Sequence, residues 1–163
     1  MSLMDAPEYD SRRDNRIRNL LIAAGVLVVL AVVIGFGGFA LGHGWFFSNL
    51  PAEHRVDKFF TALESKDYNA AYAIWMNDPD WQQHPQKYDY KVQRFTEDWT
   101  TYSPAKAPIT SHHVDISKTD GKGAFGTGVI VAVRVNGDHK LFMWYERKDG
   151  TLTEPAPHIL EYD

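Results

Sequence analysis

The residues of this sequence that could do chemistry form two groups of ionisable side chains. His112 and His113 are adjacent in a stretch that alternates apolar and polar residues, as a β-strand does, and consecutive strand residues point to opposite faces. The two imidazoles therefore cannot bind the same metal ion in a regular strand. Asp78, Asp80 and His84 fall in a loop and could ligate a hard cation. Aspartates beside a proline more often form turns, so we expect no metal and no cofactor.

No stretch of the chain matches a catalytic motif. Cysteines are absent, which excludes thiolate nucleophiles, disulfides and thiolate metal sites. The glycines between residues 121 and 128 are typical of a hairpin, and no helix follows them as a phosphate-binding loop requires. The sequence therefore predicts a non-catalytic protein. Its formal net charge of −4 also argues against nucleic acid as a partner.

Tryptophans are the better candidates for contacts with a ligand or a partner. Trp75 and Trp99 repeat at helical spacing with other apolar residues, which predicts positions in the core. Trp81 lies in a polar loop between two prolines and is the first candidate for a contact at a pocket mouth or a partner surface. Trp144 is the second candidate.

The N-terminal part of the chain differs in composition from the part that carries these residues. Residues 20–41 form an unbroken run of 22 without a charged or amide side chain, long enough as a helix to cross a bilayer. Arginines at positions 12, 13, 16 and 18 precede the run, and no further lysine or arginine occurs before Arg55. By the positive-inside rule the N-terminus is cytoplasmic and the larger C-terminal part lies outside. A cleaved signal peptide is the alternative, but its apolar region would span only about 7–15 residues.

We divide the chain into four segments on this basis. In chain order they are a cytoplasmic tail over 1–18, a transmembrane helix over 19–47, a linker over 48–52 and an extracytoplasmic domain over 53–163. Trp45, Phe46 and Phe47 are predicted to anchor the helix as an aromatic belt at the outer surface of the lipid bilayer. The expected location is a bacterial-type inner membrane with a periplasmic domain.

Small residues recur in the outer half of the predicted membrane helix. Ala31 and Gly35, and likewise Gly38 and Gly42, are four positions apart, a spacing that lets two membrane helices approach closely. We predict that they pack against helices of integral membrane partners, although glycine is also simply frequent in such helices. His43 would be either an interfacial polar group or a ligand to a haem or pigment in a neighbouring subunit.

The domain is predicted to begin with three helices. Apolar residues at i, i+3, i+4 and i+7 predict the first over 52–66. The third is predicted over 86–102, with one side formed by Tyr88, Val92, Phe95, Trp99 and Tyr102. Asp67 is placed to cap the N-terminus of the second.

After residue 108 the apolar period changes from 3.6 to 2, which predicts a sheet. The turn pairs Asp120-Gly121, Asn136-Gly137 and Asp149-Gly150 favour tight hairpins, and hence an antiparallel meander. The four strands are predicted near 109–118, 124–135, 138–148 and 151–162.

The turn chemistry also predicts a register. A two-residue turn at positions 136 and 137 would place Val131 opposite Phe142 and Val129 opposite Trp144. Prolines at positions 155 and 157 would make the last strand an edge strand, because their missing N–H groups must point away from the sheet.

Helices followed by such a sheet give an α+β fold, and the packing motifs resemble the nuclear-transport-factor-2-like superfamily, the cystatin-like α+β cone. The resemblance covers about residues 52–162 and is closest to small exported members of unknown function. Its motifs are Val56-x-x-Phe59-Phe60-x-Ala62-Leu63, Asp67-Tyr68-x-Ala70-Ala71-Tyr72 and an aromatic third helix. The resemblance implies a cone-shaped sheet covered by helices, with a pocket or a flat sheet face for partners. Enzymes of the superfamily use an Asp/Tyr or Asp/His pair, but no spacing here identifies one, so no residue is assigned.

These features predict a non-catalytic accessory or scaffold subunit of a larger membrane complex, such as a respiratory or photosynthetic assembly. Its predicted partners are integral membrane subunits and the bilayer. An extracytoplasmic ligand-binding module or pocket enzyme of the same superfamily is the alternative. A homodimer through the open sheet face is a further candidate arrangement.

Overall fold

The computed structural model describes residues 11–120 and 127–162, and its fold class is α+β. The class and the four-stranded antiparallel sheet are confirmed, with strand order β1-β2-β3-β4. The helices are α1 (Ser11–Ala40), α2 (Leu50–Glu64), α3 (Tyr68–Trp75) and α4 (Val92–Thr100). The strands are β1 (His112–Asp120), β2 (Gly128–Val135), β3 (His139–Glu146) and β4 (Leu152–Thr153).

From Leu20 onward, helix α1 is apolar on all sides. Large side chains along it, among them Leu20, Leu27 and Val33, are exposed on the surface of the chain. A helix of this kind has to be covered by lipid or by other helices. By length and composition it is the one helix in the described part of the chain that could cross a membrane.

The helix ends at Ala40, so the prediction that it continues to residue 47 is wrong. The chain turns back after it, with Gly42 and Gly44 at φ of 80° and 77°. A short 3₁₀ helix (Trp45–Phe47) follows, and α2 begins at Leu50, within the predicted linker. We call residues 41–49 the reversal. The reversal takes the place of the predicted linker. Glycine adopts positive φ without steric cost, which lets the chain turn within a few residues.

Aromatic rings fill the space between the helices and the sheet. Phe59 of α2 lies 5.0 Å from Trp99, 5.3 Å from Trp75 and 6.1 Å from Phe95, measured between ring centroids. Phe60 packs beside it, and all five side chains are buried. The core positions predicted for Trp75 and Trp99 are confirmed. Edge-to-face contacts of this type add to the free energy gained by burying the apolar surface.

The helices of the domain follow the predicted order with one large shift. Asp67 caps α3 as predicted, since its carboxylate accepts a hydrogen bond from the Ala70 N–H at 2.9 Å. The last helix begins at Val92 and not at residue 86. The residues before it form a loop in which Lys87 and Tyr88 bind Asp78.

The register predicted between β2 and β3 is wrong by one residue. Val135 pairs with His139, Val131 with Met143 and Val129 with Tyr145. The connection therefore has three residues, 136–138, with Asn136 and Gly137 at φ of 50° and 97°.

A shift of one residue exchanges the two faces of a strand. Leu141 and Met143 consequently point into the core and are buried. Phe142 and Trp144 lie on the outer face of the sheet, which points away from the helices.

The fourth strand is much shorter than the predicted 151–162. It ends at Thr153, and a cis peptide bond joins Glu154 to Pro155. Both prolines therefore lie beyond the strand, not on it. We call residues 154–162 the C-terminal segment. The predicted turn at Asp120-Gly121 and the start of the second strand at 124 fall partly on residues 121–126, outside the described residues.

The C-terminal segment covers the outer face of the sheet. The Ala156 N–H donates to the Phe142 carbonyl at 2.8 Å, and Lys140 Nζ donates to the Tyr162 carbonyl at 2.9 Å. The Tyr162 hydroxyl donates to Asp115 Oδ2 at 2.6 Å. The face that was predicted to be open for a homodimer is thus partly covered by the chain itself, and the homodimer remains a prediction.

Replacing Tyr162 by phenylalanine is expected to loosen this segment. Burial and the Asp115 carboxylate both raise the pKa of Tyr162, so its hydroxyl stays a donor through the neutral range. Losing this hydrogen bond should lower the free energy of unfolding by about 1 kcal/mol and speed proteolysis of the segment. Limited proteolysis and urea unfolding measure both effects. Tyr102→Phe, at an exposed tyrosine, is the control, and equal behaviour of the two variants contradicts the assignment.

Candidate functional site

The reversal joins α1 to the domain through a buried carboxylate. Glu53, in the first turn of α2, is 7 % exposed. Its Oε1 and Oε2 lie 2.9 and 3.0 Å from His43 Nδ1, and its Oε1 also accepts a hydrogen bond from the Ser117 hydroxyl on β1. The Ser117 N–H donates to the Gly42 carbonyl at 2.7 Å. One acidic residue therefore connects the reversal, the helix layer and the sheet.

Asn49 is the second connection and is 0 % exposed. Its N–H donates to the His43 carbonyl at 3.2 Å. Its side-chain oxygen accepts from Thr119 Oγ1 at 2.9 Å and from Arg147 Nη2 at 3.0 Å. The Asn49 carbonyl accepts from the Glu53 N–H, which starts the hydrogen bonding of α2. The same residue of the reversal thus binds strand β1, the residue directly after β3, and helix α2.

The reversal packs on the glycines of α1. A Cβ atom placed on Gly38 would lie 2.5 Å from the Gly44 carbonyl oxygen and 2.7 Å from the Phe47 nitrogen. A Cβ on Gly35 would lie 2.8 Å from the Phe46 ring. Both glycines are buried against the chain's own backbone and rings, which accounts for them without a partner helix.

The other two small residues differ from this pair. Ala31 is exposed on α1, so the predicted packing against a partner remains a prediction there. Gly42 lies in the reversal with its φ of 80°, next to Ile116 of β1, and is not part of the helix.

The predicted belt residues fold back beside the last turns of α1. The Trp45 ring stacks on Phe39 with centroids 5.5 Å apart, and Phe47 stacks on His43 at 6.2 Å. Trp45 and Phe46 remain exposed. Amphipathic or apolar rings exposed at the end of an apolar helix suit the interface between hydrocarbon and water.

The hydrogen bonding of this cluster suits a joint better than a catalyst. Where a serine acts as a nucleophile, a histidine lies between the acidic residue and the serine hydroxyl and accepts the hydroxyl proton. Here Glu53 lies in the middle, and His43 makes no hydrogen bond to Ser117 in the described part of the chain. Glu53 binds Nδ1 of His43, and a carboxylate on one ring nitrogen is usual for a histidine that ligates through the other, so ligation of a haem or pigment by His43 remains a prediction.

A second cluster surrounds Asp78 in the loop after α3. Its Oδ2 accepts from Tyr88 Oη at 2.6 Å, from His84 Nε2 at 2.6 Å and from Lys87 Nζ at 3.0 Å. The hydrogen bonds from Tyr88 and then His84 hold the pKa of Asp78 well below its usual range. A carboxylate already paired with an ammonium group is a poor cation ligand. Among the described residues, no three His, Asp or Glu side chains are placed to hold a metal ion.

The Asp78 cluster predicts that the stability of the fold depends on pH. A carboxylate whose pKa is lower in the folded than in the unfolded state contributes stability above the ordinary aspartate pKa of about 3.9 and loses it as the pH falls through the folded value. Asp78→Asn should therefore lower the melting temperature at pH 7 and flatten its decline below about pH 4. Thermal unfolding against pH measures this. Asp80→Asn, at an exposed neighbour, should leave the profile unchanged, and the same shift in both variants would contradict the role of Asp78.

The two adjacent histidines point to opposite faces of β1, as predicted. His112 lies 2.6 Å from Glu64 and 3.1 Å from Asp57 and stacks on Phe60. The side chain of His113 is 71 % exposed on the outer face. They share no ligand position, and His112 joins β1 to α2.

The two candidate tryptophans differ in their surroundings. Trp81 is 9 % exposed and packs edge-to-face on Tyr72 with centroids 4.9 Å apart, so it belongs to the core. Trp144 is half-buried on the outer face, where it packs over Gly128 of β2. A partner contact at Trp144 remains a prediction.

Sequence reasoning missed Asn49, Glu53 and Ser117. An asparagine two residues before a proline is a signal for a helix start, and it could have placed the start of α2. No signal marks Glu53 or Ser117, whose side chains look like ordinary surface residues in the sequence.

A groove of about 780 Å³ opens beside the joint. The end of α1 and the reversal form one wall, β1 forms the second and the C-terminal segment forms the third. We call it the junction groove.

Comparisons with protein-family models, curated proteins and solved structures gave no match for this chain. The resemblance to the nuclear-transport-factor-2-like superfamily therefore remains a prediction, and the joint between α1 and the domain is the site that the geometry supports.

Proposed function

We propose that this protein is a non-catalytic, single-pass accessory subunit of a larger membrane protein complex. Its helix α1 packs beside the membrane helices of partner subunits. Its α+β domain, on the extracytoplasmic side, docks on the same partners above the bilayer.

The observation that carries this proposal is the rigid joint between α1 and the domain. Hydrogen bonds through Asn49 and Glu53, and the close contact at Gly38, fix the angle between helix and domain. An enzyme or binding module on a tether gains little from a fixed angle. A subunit that docks at two places gains affinity, because the second contact is made without a further loss of conformational freedom.

The charge and surface of α1 support the same arrangement. Arg12, Arg13, Arg16 and Arg18 lie at its N-terminal end, which favours a cytoplasmic N-terminus. The exposed Ala31 leaves room for close approach of a partner helix. A respiratory or photosynthetic assembly of a bacterial-type inner membrane remains the proposed host.

The alternative functions have less support. A pocket between the helices and the sheet would need the space that Phe59 and its neighbouring rings occupy. A homodimer through the outer face would have to displace the C-terminal segment. The α+β order remains compatible with a cone-like member of the resembled superfamily.

Photo-crosslinking in native membranes tests the proposal. Crosslinkers at Leu27 in α1 and at Tyr102 in the domain, both exposed, should give adducts with subunits of the same complex. Mild-detergent purification followed by mass spectrometry should recover those subunits. A monodisperse monomer, together with adducts to lipid alone, would show that the protein works by itself.

A further inference from the structure

The junction groove lies at the level where α1 leaves its apolar stretch. Phe39 is the penultimate residue of α1 and contributes to the wall, and Trp45 stacks on it. With α1 in a bilayer, as the proposed function has it, this places the mouth of the groove among the headgroups and upper acyl chains of the outer leaflet.

The apolar part of the groove continues away from the helix. Ile116 of β1 contributes one wall, and Ile159 and Leu160 of the C-terminal segment contribute another. Ile159 is an exposed large apolar side chain, which is unfavourable in water and suits contact with a hydrocarbon chain.

Two opposite charges border the same groove. Lys118 of β1 and Glu161 of the C-terminal segment both contribute to its lining, and both are exposed. Within the described residues no ion pair joins one to the other. The groove thus offers a cation and an anion at once, and its charge is complementary to a group that carries both signs.

We propose that the junction groove binds one zwitterionic glycerophospholipid of the phosphatidylethanolamine class from the surrounding leaflet. An acyl chain lies against Phe39 and Trp45, the phosphate faces Lys118 and the ammonium group faces Glu161. An anionic headgroup without an ammonium group would leave Glu161 without a cationic partner beside a headgroup of net negative charge, so the groove discriminates between lipid classes by charge.

Native mass spectrometry of the full chain in mild detergent measures this preference directly. The protein is offered equal amounts of phosphatidylethanolamine and phosphatidylglycerol with identical acyl chains, and should retain more of the former. Lys118→Ala removes a charge-assisted contact and should weaken phosphatidylethanolamine binding roughly tenfold. Lys118→Arg should retain binding, and Lys148→Ala, at an exposed lysine away from the groove, should leave it unchanged.

Replacing Glu161 gives the sharper test. Glu161→Gln should abolish the preference between the two lipids, since it removes the negative charge that attracts the ammonium group, which only phosphatidylethanolamine carries. Equal retention of both lipids by the wild type, preferred retention of phosphatidylglycerol, undiminished phosphatidylethanolamine binding by Lys118→Ala, or an unchanged preference in Glu161→Gln overturns the proposal. Thermal unfolding shows that the variants compared are folded.

The failure of this proposal is distinguishable from failure of the proposed function. Lipid preference is measured on the isolated chain, whereas partner adducts are measured in native membranes. A chain that crosslinks to partners but shows no lipid preference contradicts the lipid site alone.

Discussion

Replacing Gly38 by alanine is expected to open the joint between α1 and the domain. The new Cβ would meet the Gly44 carbonyl oxygen and the Phe47 nitrogen, which are backbone atoms and cannot rotate away as the end of a side chain can. The reversal must then move as a whole. Overpacking of this type costs about 1–3 kcal/mol, enough to populate states in which the reversal is detached from the helix.

Gly37 provides the matched control for this prediction. No heavy atom lies within 4 Å of a Cβ placed there. Gly37→Ala should therefore be neutral or stabilising by up to about 1 kcal/mol, because alanine is the better helix former.

Hydrogen exchange of the reversal separates the two variants. The His43 amide donates to the Gly38 carbonyl of α1, and the amides of Phe47 and Asn49 donate within the reversal. All three should exchange faster in Gly38→Ala only. If partner adducts also disappear in Gly38→Ala and persist in Gly37→Ala, docking depends on the fixed angle. Equal exchange in both variants would mean that the reversal does not rest on α1.

Glu53→Ala is the second substitution with a large expected effect. It removes the acceptor of both His43 Nδ1 and the Ser117 hydroxyl, and it leaves a void where a buried side chain was. Ser117 keeps a weaker acceptor, the Gly42 carbonyl at 3.2 Å. The lost hydrogen bonds and the void together are expected to cost about 2–4 kcal/mol.

Urea unfolding of the full chain in detergent, followed by tryptophan fluorescence, measures this loss. Glu64→Ala is the control, because Glu64 also binds a histidine, His112, but its side chain is more accessible to water. We expect that control to cost about 1 kcal/mol or less. A Glu53 variant no less stable than the Glu64 variant would show that the buried carboxylate does not hold the joint.

Local signals predicted most of the domain. Asp67 caps α3 because its side chain competes for a backbone N–H regardless of distant contacts. The aromatic stripe that includes Phe59 and Trp75 identifies the core, since a period of 3.6 fixes which face is apolar. Antiparallel order followed from turns that need residues with positive φ, such as Gly137 and Gly150.

Local signals did not predict the register of the sheet. Asn136 and Gly137 favour a two-residue turn, yet the loop includes Asp138 as well. One extra residue exchanges the faces of β3, so that Met143 enters the core in place of Trp144. Such a choice depends on how the whole strand packs and not on the turn alone.

The joint is a tertiary feature that composition does not record. Hydrophobicity continues past Ala40 to Phe47, so a scan for apolar residues sees one segment where the chain turns back. The burial of Glu53 depends on Ser117, which is 64 residues away in the sequence. The glycines at 42 and 44 were visible, but their role needed the structure.

With α1 in a bilayer, the reversal would couple the tilt of the helix to the position of the domain. A membrane helix adapts to a thinner or thicker hydrocarbon layer by changing its tilt. With a rigid joint, a change of tilt of about 20° would carry the far end of a domain about 30 Å long sideways by about 10 Å. A change in bilayer thickness would thus move the domain sideways above the membrane. A lipid in the junction groove would lie at the point about which the domain turns.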